Sequence, residues 1–359
     1  MSNAFFKDLK VVELASVLAG PAVGMFLAEL GAEVVKIENK RTGGDVTRRW
    51  KSPTEDPALP DSAYYHCVNW GKTALLLDLR APADREEAYR HIAAADVVIS
   101  NFRPAAARRF GMDEATLRRR YPALIFAQLT AFGEEEAERP AFDVVLQAES
   151  GFLYMTGAPG SDPVKLPVAL IDLLAAHQLK EGILLALLKR EQTGEGSGVS
   201  TSLLEAALAS LANQATNWLM AGTVPQPLGT RHPNIAPYGD LFRTKDGKQV
   251  VVAAGTEKQF QRLCAGLELD DLPADPRFAT NGERVRHRKI LIELLTPAFG
   301  RYRRSELMER LTALGVPAGS VRSMPEVFET PTARNMVIEG PRVHGRMTRR
   351  VRTVAFRLK

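Results

Sequence analysis

Residues 9–38 read LKVVELASVLAGPAVGMFLAELGAEVVKIE. Two short runs rich in Val and Ile, Leu9–Leu14 and Glu33–Glu38, flank Pro21–Leu30, a stretch with helical periodicity. Pro21 sits early in the first turn, where a missing N–H costs nothing, and Gly31 follows the last turn. A strand, a helix and a second strand within thirty residues predict a parallel βαβ unit. The alternation continues through a strand at Leu75–Leu79, a helix at Glu86–Ala95, and strands at Asp96–Ser100 and Leu124–Leu129. That order predicts a doubly wound parallel sheet. Ligands in such sheets sit beyond the carboxyl ends of the strands. The loops at 15–20, 39–49 and 101–109 are therefore the first places to look for a site.

The pattern changes after residue 205. Residues 222–238 carry Pro225, Pro227, Pro233 and Pro237 with no long apolar run, and read as a linker or crossing segment. Leu241–Thr244 and Gln249–Ala253, separated by Asp246-Gly247, predict a hairpin. Helical patterns follow at Glu257–Leu267, Val285–Tyr302 and Arg304–Leu314, and strand-like alternation returns over Arg342–Leu358. The second region is a smaller α+β domain.

Bulk composition narrows the class. The chain has 359 residues, 45% of them hydrophobic and 25% charged, which suits a globular protein of two domains. No apolar run reaches the ~18 residues of a membrane span. The first residues lack the apolar core of a signal peptide. With only two cysteines, Cys67 and Cys264, far apart, a cytoplasmic protein without a disulfide framework is expected. Net charge is +5, but the densest basic clusters, Arg118–Arg120 and Arg346–Arg352, adjoin ordinary helix or strand patterning. They read as solvated faces rather than a nucleic-acid surface. A mildly basic enzyme for a small polyanion fits this balance.

Asp172 lies at the seam between the apolar run Pro167–Ile171 and the apolar-periodic stretch Leu173–Leu188. If the run is a strand and the stretch a helix, Asp172 stands at the helix N-terminus, where free N–H groups and the macrodipole favour negative charge. Capping alone explains an Asp there. A sharper reading, compatible with capping but not required by the local sequence, is a carboxylate kept ionised and aimed into a cleft to attack a carbonyl. Elsewhere, familiar signatures are missing. The loop after the first strand, Ala15–Pro21, is no G-x-G-x-x-G, which disfavours a nicotinamide cofactor. There is no Walker A sequence, no G-x-S-x-G elbow and no metal-ligand spacing.

Taken in order, a series of motifs resembles the class III CoA-transferase family over nearly the whole chain. The opening is Val11–Leu14 with Ala19-Gly20-Pro21, Leu30–Glu38 and Gly44-Asp45. Asn69, Gly71-Lys72, Asp78-Leu79, Asn101–Pro104 and Arg109–Gly111 follow. Phe142–Ala148 leads to Ser150-Gly151 and Thr156-Gly157. Thr193–Gly196, Ser202–Ala206, His232–Tyr238 and Gly315–Gly319 complete the series. The resemblance implies a large Rossmann-like domain over residues 1–205 completed by 325–359, a crossing segment over 206–238, and a small α+β domain over 239–324. It implies an interlocked-ring homodimer. It places the family's nucleophilic aspartate at Asp172. It places CoA contacts at Val17, Ala19, Asn39, Lys40, Asn101, Phe102, Arg103 and Arg109, with coenzyme A as co-substrate and no tightly bound cofactor or metal. Arginines suit CoA phosphates, and Phe102 either stacks on a base or fills a core slot. The implied partners are acyl-CoA and carboxylic acids, without nucleic acid or membrane. The implied reaction runs through an aspartyl anhydride and an aspartyl-CoA thioester.

Departures from the family pattern mark the open points. The first loop has Ser16-Val17-Leu18-Ala19 where formyl-CoA transferase has His-Val-Gln-Ala, so Leu18 predicts a more apolar acyl pocket, and that enzyme's glycine-run loop is absent. The rival reading is a relative of alpha-methylacyl-CoA racemase, which uses a His in a Gly-His-Asp segment as one of its proton shuttles. The matching segment here, Ala141-Phe142-Asp143, has no base, and His177, five residues past Asp172, turns away from it on a helix. A non-catalytic acyl-CoA-binding protein is the alternative from another class, and the retained Asp172 argues against it.

Overall fold

The computed structural model describes residues 5–343 and 346–357. It divides into two compact units, one of Met1–Leu153, Lys165–Val224 and Asn335–Lys359, the other of Tyr154–Val164 and Pro225–Arg334.

The first unit carries a six-stranded parallel sheet. Its strands are β1 (Lys10–Leu14), β2 (Glu33–Asn39), β3 (Lys72–Leu77), β4 (Val97–Ser100), β5 (Ile125–Thr130) and β6 (Gly198–Ser202), in the spatial order β3-β2-β1-β4-β5-β6. That is the Rossmann-like order, which reverses direction between β1 and β4. Val11 pairs with both Val34 and Val97, so β1 is hydrogen-bonded on both edges. The helices of this unit are α1 (Ala19–Glu29), α2 (Ala63–Val68), α3 (Pro82–Ala93), α4 (Pro104–Phe110), α5 (Glu114–Arg120) and α6 (Asp143–Glu149). After α7 (Phe152–Met155), which spans the boundary with the second unit, come α8 (Leu170–Thr193), α9 (Leu203–Ala209) and α10 (Ala212–Ala221).

Side-chain alternation explains why the central strands read as continuous apolar runs. Val11 faces a core built with Val23, Leu27, Ala175 and Leu179 of α1 and α8. Val12 and Leu14 face the opposite core with Ala88, Ile92 and Leu117 of α3 and α5. A strand covered on both faces has no solvent side to mark with polar residues. One acid breaks the pattern. Glu13 is buried, and Gly24 of α1 lies against it: a Cβ on Gly24 would stand 2.0 Å from Glu13 Oε2. The helix accepts a glycine in its interior because the buried carboxylate takes that space.

Several expectations need correction. Residues 167–171 form no strand; the chain is irregular to Ala169, and α8 begins at Leu170. The backbone donors at the two ends of this stretch go to side chains of α6 rather than to a ladder. Leu166 N–H donates to Gln147 Oε1 at 2.8 Å, and Ile171 N–H to Asp143 Oδ2 at 2.7 Å. The third strand starts at Lys72 rather than Leu75; it is an edge strand with much of its length exposed, so no apolar run announces it. The other edge strand, β6, has the polar sequence Gly-Val-Ser-Thr-Ser and escaped the periodicity for the same reason. Residues 206–221, within the expected crossing segment, are mostly helical.

The second unit holds a three-stranded antiparallel sheet of β7 (Tyr238–Arg243), β8 (Gln249–Ala253) and β9 (Ala318–Ser320). The expected hairpin is β7–β8. Helices α11 (Glu257–Gly266), α12 (Asn281–Arg286), α13 (Arg288–Phe299) and α14 (Arg304–Ala313) pack around a core of Phe242, Phe260, Phe278 and Phe299. The single helix expected over 285–302 is broken at His287 into α12 and α13. In the first unit, the tail forms an antiparallel pair, β10 (Val337–Val343) with β11 (Arg346–Val351). Residues 344, 345 and 358 of the expected tail strand lie outside the described residues.

Candidate active site

Asp172 is the third residue of α8, not its cap. The N-cap is Ala169, which makes no side-chain capping bond. Asp143 of α6 does that work instead: its Oδ2 accepts from Ile171 N–H and, at 3.2 Å, from Asp172 N–H. Gln147 donates to the other Asp143 oxygen and accepts from Leu166 N–H, so one acid–amide pair on α6 fixes the whole entry to α8. The Asp172 carboxyl is thereby left without a local backbone partner. It is 7% exposed and accepts no hydrogen bond among the described residues. Burial raises its pKa, and the Asp143 charge adds to this, to about 7. A carboxyl in apolar surroundings beside a like charge behaves in this way.

The carboxyl borders a cavity of about 830 Å³. Its walls come from the loop after β1 (Ser16, Val17, Leu18, Ala19), the loop after β4 (Asn101, Phe102, Arg103), residues Arg139–Phe142, and the apolar Val46, Val145 and Leu203. Both loops leave carboxyl ends of adjacent strands at the reversal point of the sheet. Of the eight residues expected to contact CoA, five thus share this cavity with Asp172: Val17, Ala19, Asn101, Phe102 and Arg103. Asn39 lines a neighbouring cavity of about 340 Å³ together with Lys36, Asp45, Leu77, Arg80 and, again, Phe102. Lys40 and Arg109 line neither. Lys40 points toward Asp84 at 4.0 Å, and the Arg109 guanidinium lies 5.8 Å from the Phe110 ring centre.

Two lining cations differ in availability. Arg139 is paired with Glu149 and Glu136 and stacks over Phe132 at 3.8 Å. Arg103 forms no ion pair among the described residues. Phe142 is 57% exposed and meets the Trp50 ring edge-on at 6.2 Å; Trp50 in turn meets Tyr64 at 5.2 Å. Burial, and then the Asp172 charge, raise the Tyr64 hydroxyl to about 12, so it stays protonated beside the site. His177 borders neither cavity. Among the described residues no group of three or more His, Cys, Asp or Glu is arranged to hold a metal ion.

The loop after β1 is held tightly. Val17 has φ of +74°, a left-handed conformation that costs a β-branched residue of order 1–3 kcal/mol. Its N–H donates to Asp45 Oδ2 at 3.2 Å. The Lys36 ammonium, fully buried, sits between Glu13 Oε1 (2.9 Å), Asp45 Oδ2 (3.0 Å) and the Ala15 carbonyl (2.8 Å). Although burial favours a neutral amine, the two carboxylates outweigh it and hold Lys36 above its ordinary pKa. The roles of Asp143, Gln147, Lys36 and Asp45 are invisible to sequence spacing, since each acts on a segment distant in the chain. The family motifs Leu30–Glu38, Gly44-Asp45 and Phe142–Ala148 contain these residues, but nothing in those motifs reports what each one holds.

The family model for CoA-transferase family III matches residues 6–359. The chain is 37% identical over 328 residues to a succinate–glutarate CoA-transferase of Agrobacterium fabrum, covering 90% of this chain and 81% of that protein. It is 33% identical to an acetyl-CoA:oxalate CoA-transferase of Acetobacter aceti, covering 93% and 85%. Its fold is similar to the crystal structure of a CAIB/BAIF family protein from Brucella suis, with a TM-score of 0.83, 36% identity, and coverage of 98% of this chain and 91% of that one. With the whole chain matched and a buried carboxyl at the reversal point of a Rossmann-like sheet, the protein belongs to CoA-transferase family III and is an enzyme of CoA transfer.

Proposed function

We propose that this enzyme moves CoA from an acyl-CoA donor to a carboxylic acid acceptor through covalent intermediates on Asp172. The observation that carries the reading is the Asp172 carboxyl, buried at the wall of the cavity with no hydrogen-bond partner of its own among the described residues. As carboxylate it attacks the thioester carbonyl carbon. The C–S bond breaks, CoA leaves as thiolate, and an acyl–aspartyl anhydride forms. The thiolate then attacks the aspartyl carbonyl, releasing the donor acid and leaving an aspartyl-CoA thioester. The acceptor carboxylate attacks that thioester, thiolate leaves again, and its return to the acceptor's acyl carbon releases the new acyl-CoA and regenerates Asp172. Covalent steps of similar energy conserve the thioester rather than losing it to water.

Each tetrahedral step builds an oxyanion that needs fixed donors. The N–H groups of Ile171 and Asp172 are taken by Asp143. The first-turn N–H groups of α1, at Ala19 and Gly20, have no intrahelical acceptor, and Ala19 lines the cavity beside Asp172. We assign the oxyanion to that end of α1. Val17, Ala19, Asn101, Phe102 and Arg103 contact CoA, with Asn39, Lys40 and Arg109 toward its nucleotide end. CoA acts as co-substrate rather than as a resident cofactor. Leu18, Val46, Phe142, Val145 and Leu203 give the acyl group an apolar wall. The similar proteins named above act on glutarate and oxalate, so small dicarboxylic acids belong in any screen beside apolar monocarboxylic ones.

The working form is an intertwined cytoplasmic homodimer. In its favour, Leu219 and Met220 of α10 are 78% and 83% exposed, with Trp218, Leu185 and Leu188 also open. No described helix is long and apolar enough to cross a membrane. Racemisation is the second reading. Phe142 stands in the cavity where that chemistry needs a base, so a 2-methylacyl-CoA incubated in deuterium oxide without acceptor acid is expected to take up no α-deuterium; rapid uptake favours the racemase. A screen of acyl-CoA donors against carboxylic acids, read by mass spectrometry, tests transfer itself. Asp172→Ala is expected to abolish product for every active pair while still binding CoA. Binding without turnover by the native enzyme across the screen points to the non-catalytic alternative.

A further inference from the structure

Three successive residues of the loop after β1 are clamped by three side chains, two from β2 and the loop after it and one from the loop after β4. Lys36 of β2 holds the Ala15 carbonyl at 2.8 Å. Asn101, after β4, accepts from Ser16 N–H at 3.2 Å and donates to its carbonyl at 3.0 Å. Asp45, after β2, accepts from Val17 N–H. The clamp is itself locked: Asp45 also accepts from Thr47 N–H (3.0 Å) and Thr47 Oγ1 (2.8 Å), pairs with Lys36, and has its own N–H bound to Glu38 Oε2 at 2.8 Å. Asp45, Thr47 and Lys36 are all buried. Val17 is the residue this arrangement forces into the left-handed region. A strained residue persists only where its surroundings over-determine it, and such places cluster at functional sites. Val17 leads directly into Leu18 and Ala19, which border the Asp172 cavity.

We propose that Asp45, backed by Lys36 and Thr47, is a positioning residue for CoA transfer: it holds Val17 in its left-handed turn and so sets the start of α1 at the distance the covalent steps on Asp172 require. The assignment rests on the reading of Asp172 as nucleophile and names a group that reading does not use. Asp45 need not meet substrate in the reacting cavity; it acts through the backbone of Val17. The turn is thus fixed before substrate arrives, which is how preorganised donors avoid reorganisation during reaction.

The test is the rate constant for forming covalent enzyme–CoA on mixing with an acyl-CoA, by rapid quench and intact mass, normalised to folded protein. Asp45→Asn is expected to slow that step about 10- to 100-fold, with KM for acyl-CoA changed less than about threefold. Val17→Gly removes the strain that Asp45 opposes, because glycine enters the left-handed region freely. In that background the effect of Asp45→Asn is expected to shrink severalfold. A folded Asp45→Asn enzyme with the wild-type rate, or effects of the two substitutions that simply multiply, overturns the proposal. Should Asp45→Asn fail to fold, Thr47→Val, nearly isosteric and lacking the hydroxyl that steadies Asp45, is expected to slow the step about 3- to 10-fold at unchanged KM. An unchanged rate there overturns it as well. Absence of any covalent adduct in the wild type fails the Asp172 reading instead.

Discussion

Asp172 is held in a state that favours its neutral form, yet the proposed chemistry uses its anion. Burial and the Asp143 charge raise its pKa to about 7, so below neutrality the proposed nucleophile is protonated. The free enzyme's kcat/KM is therefore expected to fall as pH drops through about 7 and to level off above it, measured as a pH–rate profile. Asp143→Asn keeps an oxygen for the Ile171 and Asp172 N–H groups but removes the like charge, and moves the acid limb downward. The same raised pKa carries a stability cost. A group whose folded pKa exceeds its unfolded value stabilises the fold at low pH, and that contribution is lost as pH rises through the folded value. Here the window runs from about 4 to about 7, with an upper bound of about 4 kcal/mol. Asp172→Asn, which cannot ionise, is expected to be more stable than wild type by roughly 1–4 kcal/mol near pH 8. The two should converge near pH 4–5. Denaturant melts at the two pH values check the sign.

At the scale of elements, β1 and β2 were legible because each is covered on both faces and so writes a Val/Ile-rich run, interrupted only by the buried Glu13 and Lys36. The edge strands β3 and β6 were not, since their exposed faces dilute that signal. The entry to α8 was misread in an instructive way. An apolar run followed by Asp resembles a strand and a cap, but the cap comes from Asp143, 29 positions earlier, and no local rule reports a partner so distant. The position of Asp172 at the helix start survived that error, because either route leaves it in the first turn. Gly24 offers a test of how tightly α1 sits on β1. Alanine is the better helix former by about 1 kcal/mol, yet its Cβ would collide with Glu13 Oε2. Gly24→Ala is expected to destabilise the first unit by about 2 kcal/mol or more, read by chemical denaturation.

For the whole molecule, the α/β class followed from the alternation of strands and helices before residue 130. The grouping of Tyr154–Val164 with Pro225–Arg334 did not, because the grouping of segments far apart in the chain leaves no trace in local pattern. The proposed dimer is where the exposed apolar residues of α8 and α10 would find cover. If the chains interlock, separation requires unfolding, so sedimentation at nanomolar concentration is expected to show dimer alone. A folded, active monomer there contradicts interlocking.

The central claim is that a CoA thioester forms on one buried carboxyl. Intact-mass analysis of the wild-type enzyme mixed with an active acyl-CoA, followed by peptide mapping after hydroxylamine trapping, addresses it most directly. The account predicts a CoA adduct that maps to Asp172 and vanishes in Asp172→Asn. An adduct on another residue, or full turnover by Asp172→Asn without any adduct, would contradict it.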